Sequence, residues 1–259
     1  MSVQRFRELH RGDRLLVLPN AWDAGSAVAI QHAGASAIAT TSAGVAWACG
    51  WADGNHLPAD EMLAAVKRIA RVAKLPLTVD IEEGGSDDAA SVGRFVASLV
   101  DAGVAGINIE DGAGKPEALV VKLKAIRAAL GGRDLYINAR TDVYLRGLAS
   151  GDAAVDEVVR RAALYREAGA DGLFAPGIKA VDDIRRVVAA IGDMPLNVML
   201  VPGLPLREEL FAAGVRRLSA GIALSIDAYA GAAKGAAVLL GVEQPKALDY
   251  GTLNGLLAL

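Results

Sequence analysis

The sequence contains little of what marks a secreted, membrane-spanning or nucleic-acid-binding protein. Its 259 residues include one cysteine, Cys49, so no intramolecular disulfide can form. Lys and Arg number 27 against 30 Asp and Glu, which leaves no basic surplus for nucleic acid. No run approaches the roughly 18 continuous apolar residues of a membrane span, and the N-terminus lacks the apolar core of a signal peptide. We therefore expect a cytoplasmic protein with no nucleic-acid or membrane partner.

Linkers and nucleotide-binding motifs are absent as well. Proline is scarce, at 9 residues, and no Ser/Pro or Gly/Ser run resembles an interdomain linker. No GxGxxG and no GxxxxGK[ST] motif follows a candidate strand, which argues against dinucleotide and P-loop sites. With 53% hydrophobic residues, we predict one domain over residues 1–259. Residues 241–259 form an apolar tail that we expect to dock or to be exchanged, and the apolar excess favours a homo-oligomer.

One unit recurs along the chain: a short apolar strand, a polar turn and an Ala-rich helix that often ends in Ala-Gly. The predicted strands cover 15–18, 37–40, 77–81, 106–109, 135–139, 172–174, 196–199 and 216–219. The predicted helices cover 24–33, 59–73, 87–102, 116–130, 152–168, 181–191, 206–213 and 222–240. Eight such alternations predict an α/β fold with a parallel sheet, and eight is the number that closes a (β/α)8 TIM barrel.

Acidic residues end two of the predicted strands. In LTVDIEEG, the β alternation places Asp80 and Glu82 on one face at the strand's carboxyl end, and INIEDG ends the next strand with Glu110. Buried carboxylates require a cation, an arginine or several hydrogen-bond donors. Three such oxygen ligands suit a hard divalent ion such as Mg²⁺. The alternative is that individual acids cap the helices that follow.

The carboxyl ends of the strands carry most of the candidate chemistry, because the active site of a barrel lies there. Arg140 follows an apolar strand and must be paired, either with a substrate carboxylate or with Asp142 or Glu110. The full polar set at these ends consists of Asn20, Trp22, Asp23, Thr41, Ser42, Asp80, Glu82, Glu110, Asp111, Asn138, Arg140, Asp142, Asn197 and Ser219.

The connection after the second predicted strand contributes two further candidate features. Thr41, Ser42 and Ala43 offer small side chains and free backbone N–H groups that could hold a carboxylate, although a plain turn would look the same. Asp53 lies in a long connection, and such connections are more often functional than short ones. His56 nearby could be an acid or base or simply a surface histidine, and Asp23 is expected to be a helix N-cap.

Seven motifs together resemble the isocitrate lyase and phosphoenolpyruvate mutase superfamily. They run in that family's order from about residue 15 to 220 and read NAWDAGSA, ATTSAGVA, WADG, VDIEEG, INIEDG, INARTD and EAGADGLFAPG. The resemblance implies a (β/α)8 barrel whose last helix is exchanged between the subunits of a dimer or tetramer. It also implies an enolate mechanism in which a small carboxylate substrate chelates Mg²⁺.

The resemblance also implies a role for individual residues. Asp80, Glu82 and Glu110 match the metal shell, partly through water. Arg140 matches the arginine that binds the substrate carboxylate and polarises the enolate oxygen. The remaining matches are Thr41, Ser42 and Ala43 for the carboxylate cradle and Asp53 for the loop aspartate. From its position at a strand end, Asn197 is a further candidate for substrate binding.

Two departures from the family pattern concern the residues that would choose the reaction. The lyases carry a K-[KR]-C-G-H loop after the fourth strand, where this chain has GAGKPE, with Lys115 as the only candidate to match the mutases. Ala175 stands where those lyases have a glutamate. The expected function is a Mg²⁺-dependent (Mn²⁺ possible) lyase or decarboxylase-like enzyme for a small 2-oxo or 2-hydroxy acid. The alternatives are carbon–phosphorus mutase or hydrolase chemistry and a barrel that binds carboxylates without turnover.

Overall fold

The computed structural model describes residues 2–244 and 248–258. Every predicted strand and helix is present, with ends within two residues of those expected. The strands are Leu16–Leu18 (β1), Asn20–Ala21 (β2), Ile38–Thr40 (β3), Leu77–Asp80 (β4), Gly106–Glu110 (β5), Tyr136–Arg140 (β6), Gly172–Phe174 (β7), Leu196–Met199 (β8) and Arg217–Ser219 (β9). The helices are Val3–Leu9 (α1), Ala24–His32 (α2), Ser42–Ala48 (α3), Ala59–Val72 (α4), Ala89–Asp101 (α5), Pro116–Leu130 (α6), Asp152–Glu167 (α7), Val181–Ile191 (α8), Arg207–Ala212 (α9), Ala223–Leu240 (α10) and Tyr250–Leu257 (α11).

The sheet closes into a barrel at Pro19. β1 and β2 lie on either side of this residue and pair in parallel with β9 and β3, respectively. Because proline has no N–H to donate, the ladder is interrupted there while the backbone continues. Its carbonyl still accepts a hydrogen bond from the Ala39 amide at 3.2 Å. With β1 and β2 counted as one strand, eight parallel positions surround the axis, which confirms the predicted (β/α)8 TIM barrel.

Alternation along β5 separates an apolar outer face from a polar inner face. On β5, Ile107 and Ile109 belong to the main apolar core, which includes side chains of the surrounding helices. Asn108, between them, instead accepts hydrogen bonds from Asn138 and Arg217 across the barrel. Because alternate residues face opposite sides of a strand, the polar strand-end residues converge on the interior at the carboxyl end.

Helix α1, for which the sequence analysis gave no element, packs against the amino end of the barrel. Phe6 is fully buried, and the ring of His10 stacks on Tyr136 with centroids 4.3 Å apart. His10 Nδ1 contacts the Phe6 carbonyl at 2.8 Å. Burial, with smaller contributions from the nearby positive charges of Arg217 and Arg7, lowers the pKa of His10 to about 3.

We expect His10 to make the protein less stable in acid. Its pKa in the folded state, about 3, lies below the ordinary value of 6.5, so the unfolded chain binds this proton first. The resulting stability is present above pH 6.5 and is lost as the pH falls toward 3. Urea titrations between pH 3.5 and 6 measure how the free energy of unfolding rises with pH. In His10→Gln this rise should be smaller than in wild type by about 1.4 kcal/mol per pH unit. His32→Gln, at an exposed position on α2, is the control, and equal slopes in wild type and His10→Gln would contradict the assignment.

Two segments for which no helix was predicted contain one each. α3 begins directly after Thr41, within the connection that was treated as a loop, and α11 forms within the C-terminal tail. Asp249 caps α11 by accepting a hydrogen bond from the Thr252 amide at 2.7 Å. Both helices lie at the carboxyl end of the barrel and therefore shape the entrance to its interior.

Helix α10 presents an apolar surface outward. Among the described residues it is the one helix that is long and apolar enough to cross a membrane, with 11% of its 18 residues buried. This criterion is weak, because soluble core helices and signal sequences also meet it. The charged residues Asp227 and Lys234 interrupt the apolar sequence of this helix, so it is not a continuous apolar run. Val238, Leu239 and Leu240 at its end are exposed.

Candidate active site

A cavity of about 410 Å³ opens at the carboxyl end of the barrel. A larger cleft of about 740 Å³ at the amino end contains none of the predicted site residues and is open to solvent. The smaller cavity is lined by ten of them: Asn20, Thr41, Ser42, Ala43, Asp53, Asp80, Glu82, Glu110, Arg140 and Ser219. Its wall also includes Asn55, Asn108, Arg146, Phe174, Met199 and Tyr250.

The predicted metal ligands Asp80, Glu82 and Glu110 meet in this cavity. Asp80 ends β4 and Glu110 ends β5. Glu82 departs from the extended conformation that alternation predicted, since its φ of 52° is in the left-handed region, which is rare for a residue other than glycine. Its carboxylate accepts hydrogen bonds from the amides of Gly54 at 3.0 Å and Asn55 at 2.7 Å. Glu82 thereby joins the end of β4 to the loop that carries Asp53.

The pKa values of Asp80, Glu82 and Glu110 are all raised. Burial and contact with Asp53 raise the pKa of Glu82 to about 8. Burial likewise raises the pKa of Asp80 and of Glu110 above their usual range, although the Arg140 charge opposes the shift in both. Burial and neighbouring negative charge both favour the protonated form of Asp80, Glu82 and Glu110.

The chemistry of this set fits a divalent cation, although its geometry is not preformed. Carboxylate oxygens are hard ligands, and crowded buried carboxyl groups are stabilised in their ionised form by positive charge. Among residues 2–244 and 248–258, no three His, Cys, Asp or Glu side chains already form a metal cluster. The reason is that Glu82 is turned to the Gly54 and Asn55 amides, while Glu110 Oε2 lies 2.6 Å from Arg140.

Arg140 is fixed by ion pairs on two sides. Its Nε and NH2 atoms donate to the two carboxylate oxygens of Asp142 at 2.6 and 3.1 Å, and NH1 lies 2.6 Å from Glu110. Both ion pairs that the sequence left open are therefore present. Burial opposes the charge, but Glu110 and Asp142 together raise the pKa of Arg140. The guanidinium is permanently charged and directed into the cavity by Asp142.

The predicted carboxylate cradle is the first turn of α3. Thr41 is the N-cap, so the N–H groups of the residues that follow have no partner within the helix. Gly44 is required in this turn, since a Cβ there would lie 2.7 Å from Thr41 Cγ2 and 2.8 Å from Trp22 Cβ. Ser42 and Ala43 in this turn line the cavity.

The other candidates do not line the cavity: Trp22, Asp23, His56, Asp111, Lys115, Asn138, Asp142 and Asn197. Asn197 is fully buried on β8, where its Oδ1 accepts a hydrogen bond from the Ser219 hydroxyl at 3.2 Å, and the structure does not bring it to the cavity. His56 and Lys115 are exposed and do not line the cavity. Asp23 is an N-cap, as predicted, and accepts a hydrogen bond from the Ser26 amide at 2.6 Å.

Sequence reasoning missed a buried network beneath Arg140. Asp111 accepts hydrogen bonds from Arg161 at 2.8 Å, from the Tyr165 hydroxyl and from the Asp142 amide at 3.0 Å. Arg161 and Tyr165 come from α7, about 50 residues away from Asp111 in sequence. In the sequence, the polar residues of α7 look like an ordinary solvent-exposed face. The structure shows instead that Arg161 and Tyr165 are bonded to Asp111, which in turn accepts from the Asp142 amide.

The barrel floor below the cavity holds a second unpredicted group, Arg217. This arginine is fully buried and donates to the Ser219 hydroxyl and to Asn108 Oδ1, both at 3.2 Å. Burial lowers the pKa of Arg217 to about 10. It adds fixed positive charge under the carboxylates.

Comparisons with known proteins agree with this geometry. The family model described as phosphoenolpyruvate phosphomutase matches residues 6–240. An uncharacterized protein of Mycobacterium tuberculosis is 35% identical over 96% of this chain and 94% of its own length. The 2-methylisocitrate lyase of Salmonella typhimurium is 34% identical over 74% of this chain and 68% of its own length.

Two solved structures have the same fold. A phosphonomutase candidate from Burkholderia cenocepacia J2315 has a TM-score of 0.84 at 36% identity, and the match covers 92% of this chain and 98% of that one. Oxaloacetate acetylhydrolase in complex with its product oxalate has a TM-score of 0.81 at 26% identity, with 98% and 94% covered.

Proposed function

This chain belongs to the phosphoenolpyruvate phosphomutase family, within a superfamily of lyases and mutases, and from that premise we propose a divalent-metal-dependent carbon–carbon lyase. Its substrate is a small 2-oxo or 2-hydroxy carboxylic acid, cleaved through a pyruvate-type enolate. The observation that carries this proposal is the convergence of Arg140 with Asp80, Glu82 and Glu110 in a cavity of about 410 Å³. A volume of this size suits a small acid.

The first step for the chain's own residues is to orient the substrate. The free N–H groups at the start of α3, next to Ser42 and Ala43, bind its carboxylate. Arg140 presents NH1 to the oxygen that gains charge, while Asp142 keeps the guanidinium plane fixed. Because the donors are in place before reaction, no reorganisation accompanies the development of charge.

The proposed cation is Mg²⁺, with Mn²⁺ as the alternative, held by Asp80 and Glu110. Asp53 and Glu82 add negative charge beside it. When bound, the cation supplies charge that stabilises an enolate. The raised pKa values of Asp80, Glu82 and Glu110 support this assignment, since they reflect buried negative charge that a cation would compensate.

Carbon–phosphorus chemistry is the second candidate function. It is favoured by the family description and by the phosphonomutase candidate among the structural relatives. Turnover assays with oxaloacetate and phosphonopyruvate in parallel distinguish the two functions. Turnover of oxaloacetate reports carbon–carbon chemistry, and turnover of phosphonopyruvate reports carbon–phosphorus chemistry. If neither these nor other 2-oxo and 2-hydroxy acids react while carboxylates still bind, the non-catalytic barrel replaces both proposals.

A homo-oligomer, dimer or tetramer, completes the proposal. The exposed apolar end of α10, with Val238, Leu239 and Leu240, supports association between subunits. Exchange of a C-terminal helix between subunits stays a prediction.

We expect oxalate, a planar mimic of enolpyruvate, to bind only with the metal. Calorimetric titration of oxalate should give heat with Mg²⁺ or Mn²⁺ and none after chelation. Asp80→Asn should lose this binding because it removes a proposed cation ligand, whereas Glu117→Gln, exposed on α6, should bind as wild type. Oxalate binding that is equal with and without metal, or unchanged in Asp80→Asn, would refute the metal site.

A further inference from the structure

The C-terminal helix α11 lies against the loop that carries Asp53. Asn254 Oδ1 accepts hydrogen bonds from the Asp53 amide at 2.6 Å and from Trp47 Nε1 at 2.9 Å. The Tyr250 hydroxyl donates to Asp53 Oδ2 at 2.8 Å, and Tyr250 lines the cavity. The spacing of four residues places Tyr250 and Asn254 on the same face of the helix. One face of α11 therefore contacts both the backbone and the side chain of Asp53.

These polar contacts account for much of what attaches α11. None of its residues is buried, and Leu256 is exposed. The rings of Tyr250 and Trp47 lie 5.7 Å apart, which adds one aromatic contact. An eight-residue helix without a buried apolar face is not stable alone. Its attachment and the placement of Asp53 consequently depend on the same hydrogen bonds.

Asp53 in turn connects the tail to the carboxylates. Its carboxyl group contacts Glu82, and the next two residues, Gly54 and Asn55, donate their amides to the Glu82 carboxylate. A shift of Asp53 would move this loop and with it the hydrogen-bond donors of Glu82. Two sets of hydrogen bonds thus link the tail to the cavity, the first from α11 to Asp53 and the second from Gly54 and Asn55 to Glu82.

We propose that Tyr250 and Asn254 are positioning residues of the active site, and that the site is fully formed only when α11 is docked. Asn254 fixes the loop backbone at Asp53, and Tyr250 selects the orientation of the Asp53 carboxylate at the entrance. Because α11 is held by few contacts, it can leave and return as a small acid enters and its products leave. This inference rests on the proposed function for its effect on catalysis, but the docking itself does not.

The test of docking is hydrogen exchange at the Asp53 amide, which donates to Asn254. Asn254→Leu removes the acceptor at similar size, and we expect peptides that contain Asp53 to exchange about tenfold faster. Leu256→Ala, at an exposed position of the same helix, should leave this exchange unchanged. Equal exchange in wild type and Asn254→Leu would overturn the proposal.

The test of positioning measures oxalate affinity in the presence of Mg²⁺. Once a substrate is known, it also compares the change in kcat with the change in KM for each variant. Tyr250→Phe, which loses a hydrogen bond to the Asp53 carboxylate, and Asn254→Leu, which loses two hydrogen bonds from neutral donors, should each weaken oxalate binding about tenfold. Tyr250→Phe should lower kcat more than it raises KM. Wild-type affinity and kinetics in both variants would overturn the positioning role. If wild type itself fails to bind oxalate, the proposed function fails, whereas the exchange result still decides whether the tail docks.

Discussion

Arg140→Met is expected to reduce turnover by about 10³-fold or more and to abolish metal-dependent oxalate binding. The guanidinium is a fixed positive charge of the cavity wall and is held from two sides, by Asp142 and Glu110. Loss of a preorganised donor at a developing charge costs about 10²–10³ in kcat. Loss of the positive charge beside Glu110 and Asp80 adds to this effect.

The control for Arg140 separates geometry from charge. Arg140→Lys keeps the charge but cannot donate to both oxygens of Asp142 while facing Glu110, so an intermediate loss of about 10²-fold is expected. Arg94→Gln, at an exposed position on α5, should leave kcat and KM unchanged. The measurement is kcat and KM on whichever of oxaloacetate or phosphonopyruvate turns over. Wild-type kinetics in Arg140→Met would remove the basis of the proposed mechanism.

Asp111→Ala should destabilise the fold by about 3 kcal/mol, because it removes the buried acceptor of an ion pair and leaves its donors without a partner on that side. Asp111 is fully buried as a side chain and accepts hydrogen bonds from the Tyr165 hydroxyl and from Arg161, whose Nε still pairs with Glu157. The Asp142 amide loses its acceptor as well. Urea unfolding monitored by circular dichroism measures the change in the free energy of unfolding.

A matched pair of variants identifies the cause. Asp101→Ala removes the exposed partner of Arg133 and should cost less than about 1 kcal/mol. Asp111→Leu combined with Arg161→Met removes the buried charge together with its partner and should recover part of the loss. A cost for Asp111→Ala as small as that for Asp101→Ala would show that the network contributes little to stability.

The alternation of strands and helices was predictable because it is local. Apolar runs bounded by Ala-Gly junctions define β4 to β9 and their helices within two residues. The positions of Asp80, Glu110 and Arg140 followed from the same local pattern, since a strand's carboxyl end in a barrel points to one cavity. Asn197 has the same type of position but lies beneath the cavity, because depth inside the barrel depends on the register between neighbouring strands.

The sequence by itself determined the barrel, the carboxylates and arginine at its carboxyl end, and the family. These depend on short-range periodicity and on motifs that remain in order along the chain. Only the tertiary structure decided that α1 packs against the barrel floor, that Arg161 and Tyr165 support Asp111, and that α11 holds Asp53. The physical reason is that each of these contacts joins residues some 50 to 200 positions apart, and no local pattern encodes which distant surfaces meet.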